Sequence, residues 1–148
     1  MTNLIATQYD ALEWGYTSRE FYPDPFNTAD LDVEFVYESG QSWRIPAYWA
    51  GGQEWWVRFT PQLSGRYPVS TICSDIENSS LHGLTETLLA TPYNSKHPLL
   101  CHGPLRVAAN HRTLEFSDGT PFFWLGRYLV DGIMQHATDW ARWIPQCA

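Results

Sequence analysis

The sequence predicts a mostly β fold: an immunoglobulin-like antiparallel β-sandwich, a small hairpin and the beginning of a βα unit. Three observations support this prediction. About six short segments up to residue 92 are predicted to be strands, and most of them alternate apolar and polar residues with a period of two. Turn-forming residue types separate these segments at the spacing typical of a sandwich. No helical period competes with the strand pattern before residue 92.

Residues 43–59 are predicted to form a β-hairpin around which the sandwich is built. Six apolar residues share one face of its two arms: Trp43, Ile45, Ala47, Trp55, Val57 and Phe59. Gly51 and Gly52 lie between the arms, where a tight turn needs positive φ angles. Pro46 has no amide hydrogen to donate, so we expect an edge strand or a bulge there. Because the hairpin contains four tryptophans and a tyrosine, it is predicted to supply much of the core.

Four more strands are predicted around this hairpin, at residues 11–20, 31–38, 67–73 and 85–91. The first three alternate apolar and polar side chains, so one face of each is expected to be buried, and the last ends before Pro92. A loop at 21–30 is rich in Pro, Asp and Asn, which are turn-forming residue types. Residues 74–83 are polar and irregular and are predicted to form a second loop.

Three parts are predicted along the chain: a β-sandwich domain at 1–93, a linker at 94–104 and a separate region at 105–148. In the third part, 105–107 and 114–116 are predicted to pair as a hairpin, and 117–120 to form a tight turn. The apolar run Phe-Phe-Trp-Leu at 122–125 is typical of a strand buried on both faces in a parallel sheet. Thr138 is a candidate N-cap for a following helix, so this part predicts half of a βα unit.

The net charge and hydropathy of the sequence indicate which kinds of partner and which cellular location to expect. The 148 residues carry a formal net charge of −7 without a cluster of Lys and Arg, so we expect no nucleic-acid partner. No signal peptide and no stretch of transmembrane length is recognisable, so we expect no membrane partner and, by default, a cytoplasmic location. The odd number of cysteines, Cys73, Cys101 and Cys147, predicts no disulfide framework. Cys73 falls in a predicted strand and is expected to be buried.

A series of motifs then resembles a known domain. Pro-Ala-Tyr-Trp-Ala-Gly-Gly-Gln-Glu-Trp-Trp-Val-Arg-Phe at 46–59 is followed by Pro61, Gly65, Ser-Asp at 74–75, Leu-His-Gly at 81–83 and Thr-Pro at 91–92. In order and spacing these motifs resemble a β-sandwich domain of unknown function. That domain precedes the catalytic barrel in a group of proteins classed as glycoside hydrolases.

The later motifs resemble the opening of the barrel in the same group. They are His-Gly-Pro-Leu-Arg-Val at 102–107, Asp-Gly-Thr-Pro-Phe-Phe-Trp-Leu-Gly at 118–126 and Asp-Gly at 131–132. They resemble the start of an apiosidase-like (β/α)8 catalytic domain, which implies that 105–148 is a truncated first segment of a TIM barrel. The acid/base and nucleophile carboxylates of that family belong to later barrel strands. The resemblance therefore implies no catalytic residue in this chain.

The chain departs from the family pattern at several positions. Arg127 stands where the family usually has an Asp after the Phe-Trp-Leu-Gly run, at the mouth of the barrel. Residues 128–130 replace its usual Thr and aromatic residues. Glu86 replaces a Gly expected before the last sandwich strand.

Three clusters carry chemical groups but are better interpreted as ordinary loop residues. Asp75 and Glu77 are close carboxylates in a polar loop, Asp24, Asn27 and Asp30 offer oxygens to a Ca²⁺ ion, and His97, Cys101 and His102 offer zinc ligands. None has the spacing of a known site, so we expect neither a metal site nor a cofactor.

The candidate site with most support is aromatic. Tyr48, Trp49, Trp56 and Arg58 are predicted as carbohydrate-binding residues, because Trp56 should point away from the core beside Arg58. The favoured interpretation of this surface, however, is a patch that docks on a barrel domain, and plain core or edge packing also stays open.

The predicted function is that of an N-terminal accessory domain of a glycoside hydrolase, non-catalytic in this chain, which docks on a barrel. Its partner is expected to be a barrel domain or another copy of the chain. The alternative is a carbohydrate-binding module that stacks glycans on exposed aromatic side chains. A third hypothesis is that a second polypeptide supplies the rest of an active barrel. We also expect residues 122–125 to lie against the sandwich or another chain.

Overall fold

A computed structural model of the protein describes residues 3–94, 96–98 and 100–126, and it is mostly β. The chain divides into two compact units, Met1–Pro104 and Leu105–Ala148. The described strands of the first unit are β1 (Asn3–Thr7), β2 (Leu12–Thr17), β3 (Leu31–Val36), β4 (Ser42–Pro46), β5 (Tyr48–Gly51), β6 (Glu54–Phe59), β7 (Gly65–Cys73) and β8 (Thr85–Thr91). One helical turn, α1 (Pro25–Thr28), precedes β3.

These strands form the two sheets of a β-sandwich, as the sequence predicts. The large sheet has the order β1-β8-β7-β3-β4, and the small sheet has the order β2-β6-β5. Neighbouring strands are antiparallel except β1 and β8, which are parallel. The apolar faces of both sheets contribute to one buried cluster between them.

Aromatic rings at the centre of this cluster join the two sheets. Phe35 of the large sheet stacks on Phe59 of the small sheet, with ring centroids 3.9 Å apart and an interplanar angle of 7°. Three further rings meet this pair: Trp14 on Phe35, and Trp43 and Tyr67 on Phe59. The alternation in β3 and β6 places Phe35 and Phe59 inward, so the strand pattern itself builds the stack.

The predicted hairpin at 43–59 is wrong in its first arm. Residues 42–46 form β4, which pairs with β3 in the large sheet, and only residues 48–51 pair with β6. The chain crosses between the sheets at Ala47, whose amide N–H donates to the Leu31 carbonyl at 2.7 Å. A strand that bends in this way makes a corner of the sandwich. The edge position predicted from Pro46 is confirmed, because β4 is the outer strand of the large sheet.

The predicted turn of the hairpin is confirmed. Gly51 and Gly52 connect β5 to β6, and their φ angles are 112° and 55°. Residues that have a Cβ atom rarely adopt such φ angles. Along β6, Trp55, Val57 and Phe59 are buried while Trp56 and Arg58 are exposed, as predicted.

One strand of the sandwich lies where the sequence predicts none. Residues 3–7 form β1, which pairs in parallel with β8 more than eighty positions later in the chain. Leu4, Ile5 and Ala6 are consecutive apolar residues, and Ile5 is exposed, so the segment has no alternating pattern that would identify a strand. The strand predicted at 11–20 is confirmed over Leu12–Thr17, and β8 has the predicted bounds.

Glu86 lies within β8, and its carboxylate points inward. Glu86 shares the inner face of β8 with the buried Leu88, and its Oε2 atom accepts a hydrogen bond from the Tyr16 hydroxyl at 2.9 Å. Trp14 Nε1 donates to the same hydroxyl oxygen at 3.0 Å. Burial, together with the nearby Glu86 charge, raises the pKa of Tyr16, so the hydroxyl keeps its proton for this bond. Glu86 therefore links the two sheets at the border of the core.

Cys73 lies at the end of β7 and is buried, as predicted, whereas Cys101 is exposed. Burial raises the pKa of the Cys73 thiol and so reduces its reactive thiolate form. We expect iodoacetamide at pH 8 to alkylate Cys101 at least about 100-fold faster than Cys73 in the folded chain. Peptide mapping by mass spectrometry measures both rates, and urea should make them similar. Equal rates without urea would contradict the buried position.

The second unit contains a small antiparallel sheet in its described part. Its strands are β9 (Leu105–Val107), β10 (Leu114–Phe116) and β11 (Pro121–Phe122), in the order β11-β10-β9. The predicted hairpin of β9 and β10 is confirmed. The predicted turn at 117–120 is also confirmed, with the Phe116 amide donating to the Thr120 carbonyl at 2.8 Å.

The buried strand predicted at 122–125 is wrong within the described residues. Phe122 belongs to β11, but Phe123, Trp124 and Leu125 lie outside it and are 83%, 76% and 84% exposed. A strand buried on both faces needs a covering layer on each side, and the described part of this unit contains only the three-stranded sheet. The proposed association of these residues with another surface stays a prediction.

Some predicted features lie outside the described residues: Arg127 and its neighbours 128–130, the helix starting at Thr138, and Cys147. The parallel barrel segment predicted for 105–148 also depends on those residues. In the part of the chain that is described, no helix combines the length and the hydropathy needed to cross a bilayer.

Candidate functional site

The outer face of the small sheet carries a row of functional side chains. Three cross-strand pairs point outward along β2 and β6: Glu13 with Arg58, Gly15 with Trp56, and Thr17 with Glu54. Tyr48 of the edge strand β5 pairs with Trp56 on its other side. The row therefore has an aromatic centre and a polar pair on each side of it. We call these seven residues the small-sheet face.

Gly15 makes room for the Trp56 ring. A Cβ atom built on Gly15 would lie 2.8 Å from both Cδ1 and Nε1 of Trp56. The indole therefore occupies the space above the neighbouring strand that a side chain at position 15 would fill. Trp56 keeps 38% of its surface exposed, so one part of the ring contacts the backbone and another faces solvent.

Glu13 organises the polar end of the face. Its Oε1 atom accepts hydrogen bonds from the Tyr48 hydroxyl at 2.8 Å and from Arg58 Nη2 at 2.6 Å. The Tyr48 bond, with the bond and charge of Arg58, lowers the pKa of Glu13. The same contact with Glu13 raises the pKa of Tyr48. Among described residues, Glu13 Oε2 and Arg58 Nε and Nη1 make no hydrogen bond, so acceptor and donor atoms remain for a ligand.

The structure brings together three of the four residues predicted to bind carbohydrate. Tyr48, Trp56 and Arg58 share the small-sheet face. Trp49 instead pairs with the buried Trp55, so it belongs to the opposite side of the sheet, and its Nε1 donates to the Gly52 carbonyl at 3.0 Å. Sequence reasoning missed Glu13 and Gly15, although the inward alternation of Leu12, Trp14 and Tyr16 already implies that both point outward.

Residues of the other three clusters considered in the sequence analysis take part in local hydrogen bonds. Asn27 Nδ2 donates to both carboxylate oxygens of Asp24, whereas Asp30 donates its backbone N–H to Ser74 Oγ. Asp75 accepts a hydrogen bond from the Tyr22 hydroxyl at 2.7 Å. The Cys101 amide donates to the His97 carbonyl at 2.9 Å. Within the described ranges, no group of three or more His, Cys, Asp and Glu residues is arranged to hold a metal ion.

One end of the sandwich exposes large apolar side chains. The loop between β2 and β3 contributes Phe21 and Phe26, which are 79% and 77% exposed, and the loop between β7 and β8 contributes Ile76, which is 66% exposed. Hydrogen bonds join the two loops, including the Tyr22–Asp75 bond and a bond from the Arg19 amide to Ser80 Oγ. We call this surface the loop end. Its loops are held in place by the sandwich, which favours a defined contact surface.

Comparison with known proteins supports the fold. A family profile described as a domain of unknown function, DUF5060, matches residues 5–74. The fold is also similar to a crystal structure of a "putative glycoside hydrolase" from Bacteroides vulgatus ATCC 8482, with a TM-score of 0.67 and 20% sequence identity. The match covers 81% of this chain and 21% of that chain, so this chain spans about a fifth of its length. No curated protein matches the chain.

Proposed function

We propose that this chain is a non-catalytic accessory module of a glycoside hydrolase and packs on a catalytic barrel through its loop end. The observation that carries the proposal is the shared sandwich fold. It covers most of this chain but only 21% of a protein described as a "putative glycoside hydrolase". The DUF5060 match over residues 5–74 supports the accessory-domain part of the proposal. The motifs at 102–107 and 118–126 support the opening of an apiosidase-like barrel at 105–148.

The loop end suits such a role better than the small-sheet face. Its three apolar side chains are each at least 66% exposed, whereas Tyr48 and Trp56 keep 45% and 38% of their surface exposed. Large apolar side chains that protrude from fixed loops gain most from burial against a partner. The small-sheet face has a polar pair on either side of its tryptophan, which is less suited to a dry interface.

The test begins with the DNA that follows the Ala148 codon, which we expect to encode further strand–helix units of a barrel. The polypeptide from that region should co-purify with this chain when both are expressed together. Phe21→Ser combined with Phe26→Ser is expected to weaken this association at least about tenfold. Leu89→Ser is the matched control, because Leu89 is 46% exposed on the outer face of β8 and away from the loop end.

An assay of aryl glycoside hydrolysis tests the proposal that this chain has no catalytic activity by itself. We expect no product from the purified chain alone, and hydrolysis only when the barrel polypeptide is present. Hydrolysis by the chain alone would overturn the proposal. A downstream sequence without barrel strands, or unchanged association in the double variant, would overturn the proposed docking.

A further inference from the structure

We propose that the small-sheet face binds a neutral glycan, with a pyranose ring stacked on Trp56 and two neighbouring hydroxyl groups bound by Glu13 and Arg58. This inference goes beyond the accessory role and does not depend on it. It uses a different surface from the loop end. A barrel partner and a glycan could therefore be tested separately on the same chain.

The aromatic part of the site is preorganised. Because the Trp56 ring lies above Gly15, it is supported by the backbone of β2 and cannot fold further onto the sheet. Its exposed part offers a flat apolar surface to the C–H groups of a sugar ring, and Tyr48 on the next strand extends that surface. Binding sites of this kind combine aromatic walls with a few well-placed polar groups that fix orientation.

The polar groups lie at a suitable spacing from the ring. Glu13 and Arg58 form the next outward pair along β2 and β6, which is about 7 Å from the Gly15–Trp56 pair. Glu13 Oε2 can accept a hydrogen bond from one hydroxyl, and Arg58 can donate to its neighbour. Hydrogen bonds to charged groups are stronger than those between neutral groups. The pair therefore recognises a vicinal diol.

Charge favours a neutral glycan over an acidic one. Glu13 already neutralises Arg58 through their ion pair, so the face carries no unbalanced cation for a uronic acid. The pair on the other side of Trp56 adds a second carboxylate, Glu54, whose Oε1 accepts a bond from Thr17. The chain as a whole has a net charge of −7. An acidic polysaccharide would therefore be repelled.

The test is affinity electrophoresis and isothermal titration calorimetry with the intact chain. The neutral probes are cellohexaose, xylohexaose and mannohexaose with their parent polysaccharides, and the acidic probe is polygalacturonate. We expect binding to at least one neutral probe and none to polygalacturonate. Trp56→Ala should weaken binding at least tenfold, and Glu13→Gln or Arg58→Ala about fivefold. Gly15→Ala should also weaken binding, because the new methyl group displaces the indole.

Trp49→Ala is the matched control. Trp49 is 39% exposed and lies next to Tyr48 in the chain, but it belongs to the other side of the small sheet. We expect it to leave the affinity unchanged, with circular dichroism confirming that every variant is folded. Absence of binding to all neutral probes, preference for polygalacturonate, or equal losses in Trp49→Ala and Trp56→Ala would each overturn the proposal. None of these outcomes bears on docking through the loop end.

Discussion

Replacing Phe35 with alanine is expected to lower the free energy of unfolding of the sandwich by about 3–5 kcal/mol. Phe35 has no exposed surface, and its ring stacks on Phe59 of the opposite sheet at 3.9 Å. Its removal leaves a cavity between the sheets and deprives Phe59 and Trp14 of a partner ring. Because domains are stable by only about 5–15 kcal/mol, this one change should remove a large share of the total. Urea denaturation followed by tryptophan fluorescence measures the difference.

Phe26→Ala provides the comparison at an exposed position. It removes the same atoms from a side chain that is 77% exposed in α1. We expect the free energy of unfolding to change by no more than about 0.5 kcal/mol. If Phe35→Ala cost as little as Phe26→Ala, the Phe35–Phe59 stack would not be the link between the sheets.

The sequence alone suffices for strands whose alternation is strict. In β7, Tyr67, Val69, Thr71 and Cys73 are all buried, and in β6 three apolar residues alternate with exposed ones. Each of these strands covers one face of a shared core, so burial imposes a period of two on the sequence. In such strands, the residues of the strand alone show which side chains face the core.

The corner at Ala47 could not be predicted in this way. Residues 43–51 keep a strand-like pattern across the crossing, because both the large and the small sheet bury the same side of the chain. The change of partner depends on hydrogen bonds to Leu31 and to β6, which are distant in sequence. The parallel pairing of β1 with β8 is also non-local. Local alternation states which face is buried, but not which strand is adjacent.

In the small-sheet face, too, some features follow from local alternation and others depend on which strands pair. Alternation alone directs Trp56 and Arg58 outward. It also separates Tyr48 from Trp49, since adjacent residues in a strand point to opposite faces. The support of Trp56 by Gly15 and the ion pair of Arg58 with Glu13 depend on the register between β2 and β6. That register connects residues more than forty positions apart, so the full site becomes visible only in the fold.

Replacing Asn78 with alanine is the second change expected to have a large effect. Asn78 is 2% exposed in the loop between β7 and β8. Its Nδ2 donates to Ser18 Oγ at 2.9 Å and to the Tyr22 hydroxyl at 2.8 Å, while its Oδ1 accepts from Ser80. Alanine removes all of these hydrogen bonds from a buried site, although the Ser18 hydroxyl keeps its bonds with the Glu20 backbone. Each lost hydrogen bond contributes about 0.5–1.5 kcal/mol. We expect the free energy of unfolding to fall by about 2–4 kcal/mol.

The loss should be concentrated at the loop end, because Asn78 joins the loop after β2 to the loop after β7. Hydrogen exchange is therefore expected to accelerate in residues 18–24 and 75–82 more than in β6 or β7. Asn27→Ala is the matched control, since Asn27 is exposed and its side chain bonds only to Asp24 among the described residues. It should change stability by less than about 0.5 kcal/mol. If the two asparagine variants had equal stability, the buried hydrogen bonds of Asn78 would not hold the loop end together. The docking surface proposed there would then lack its rigid support.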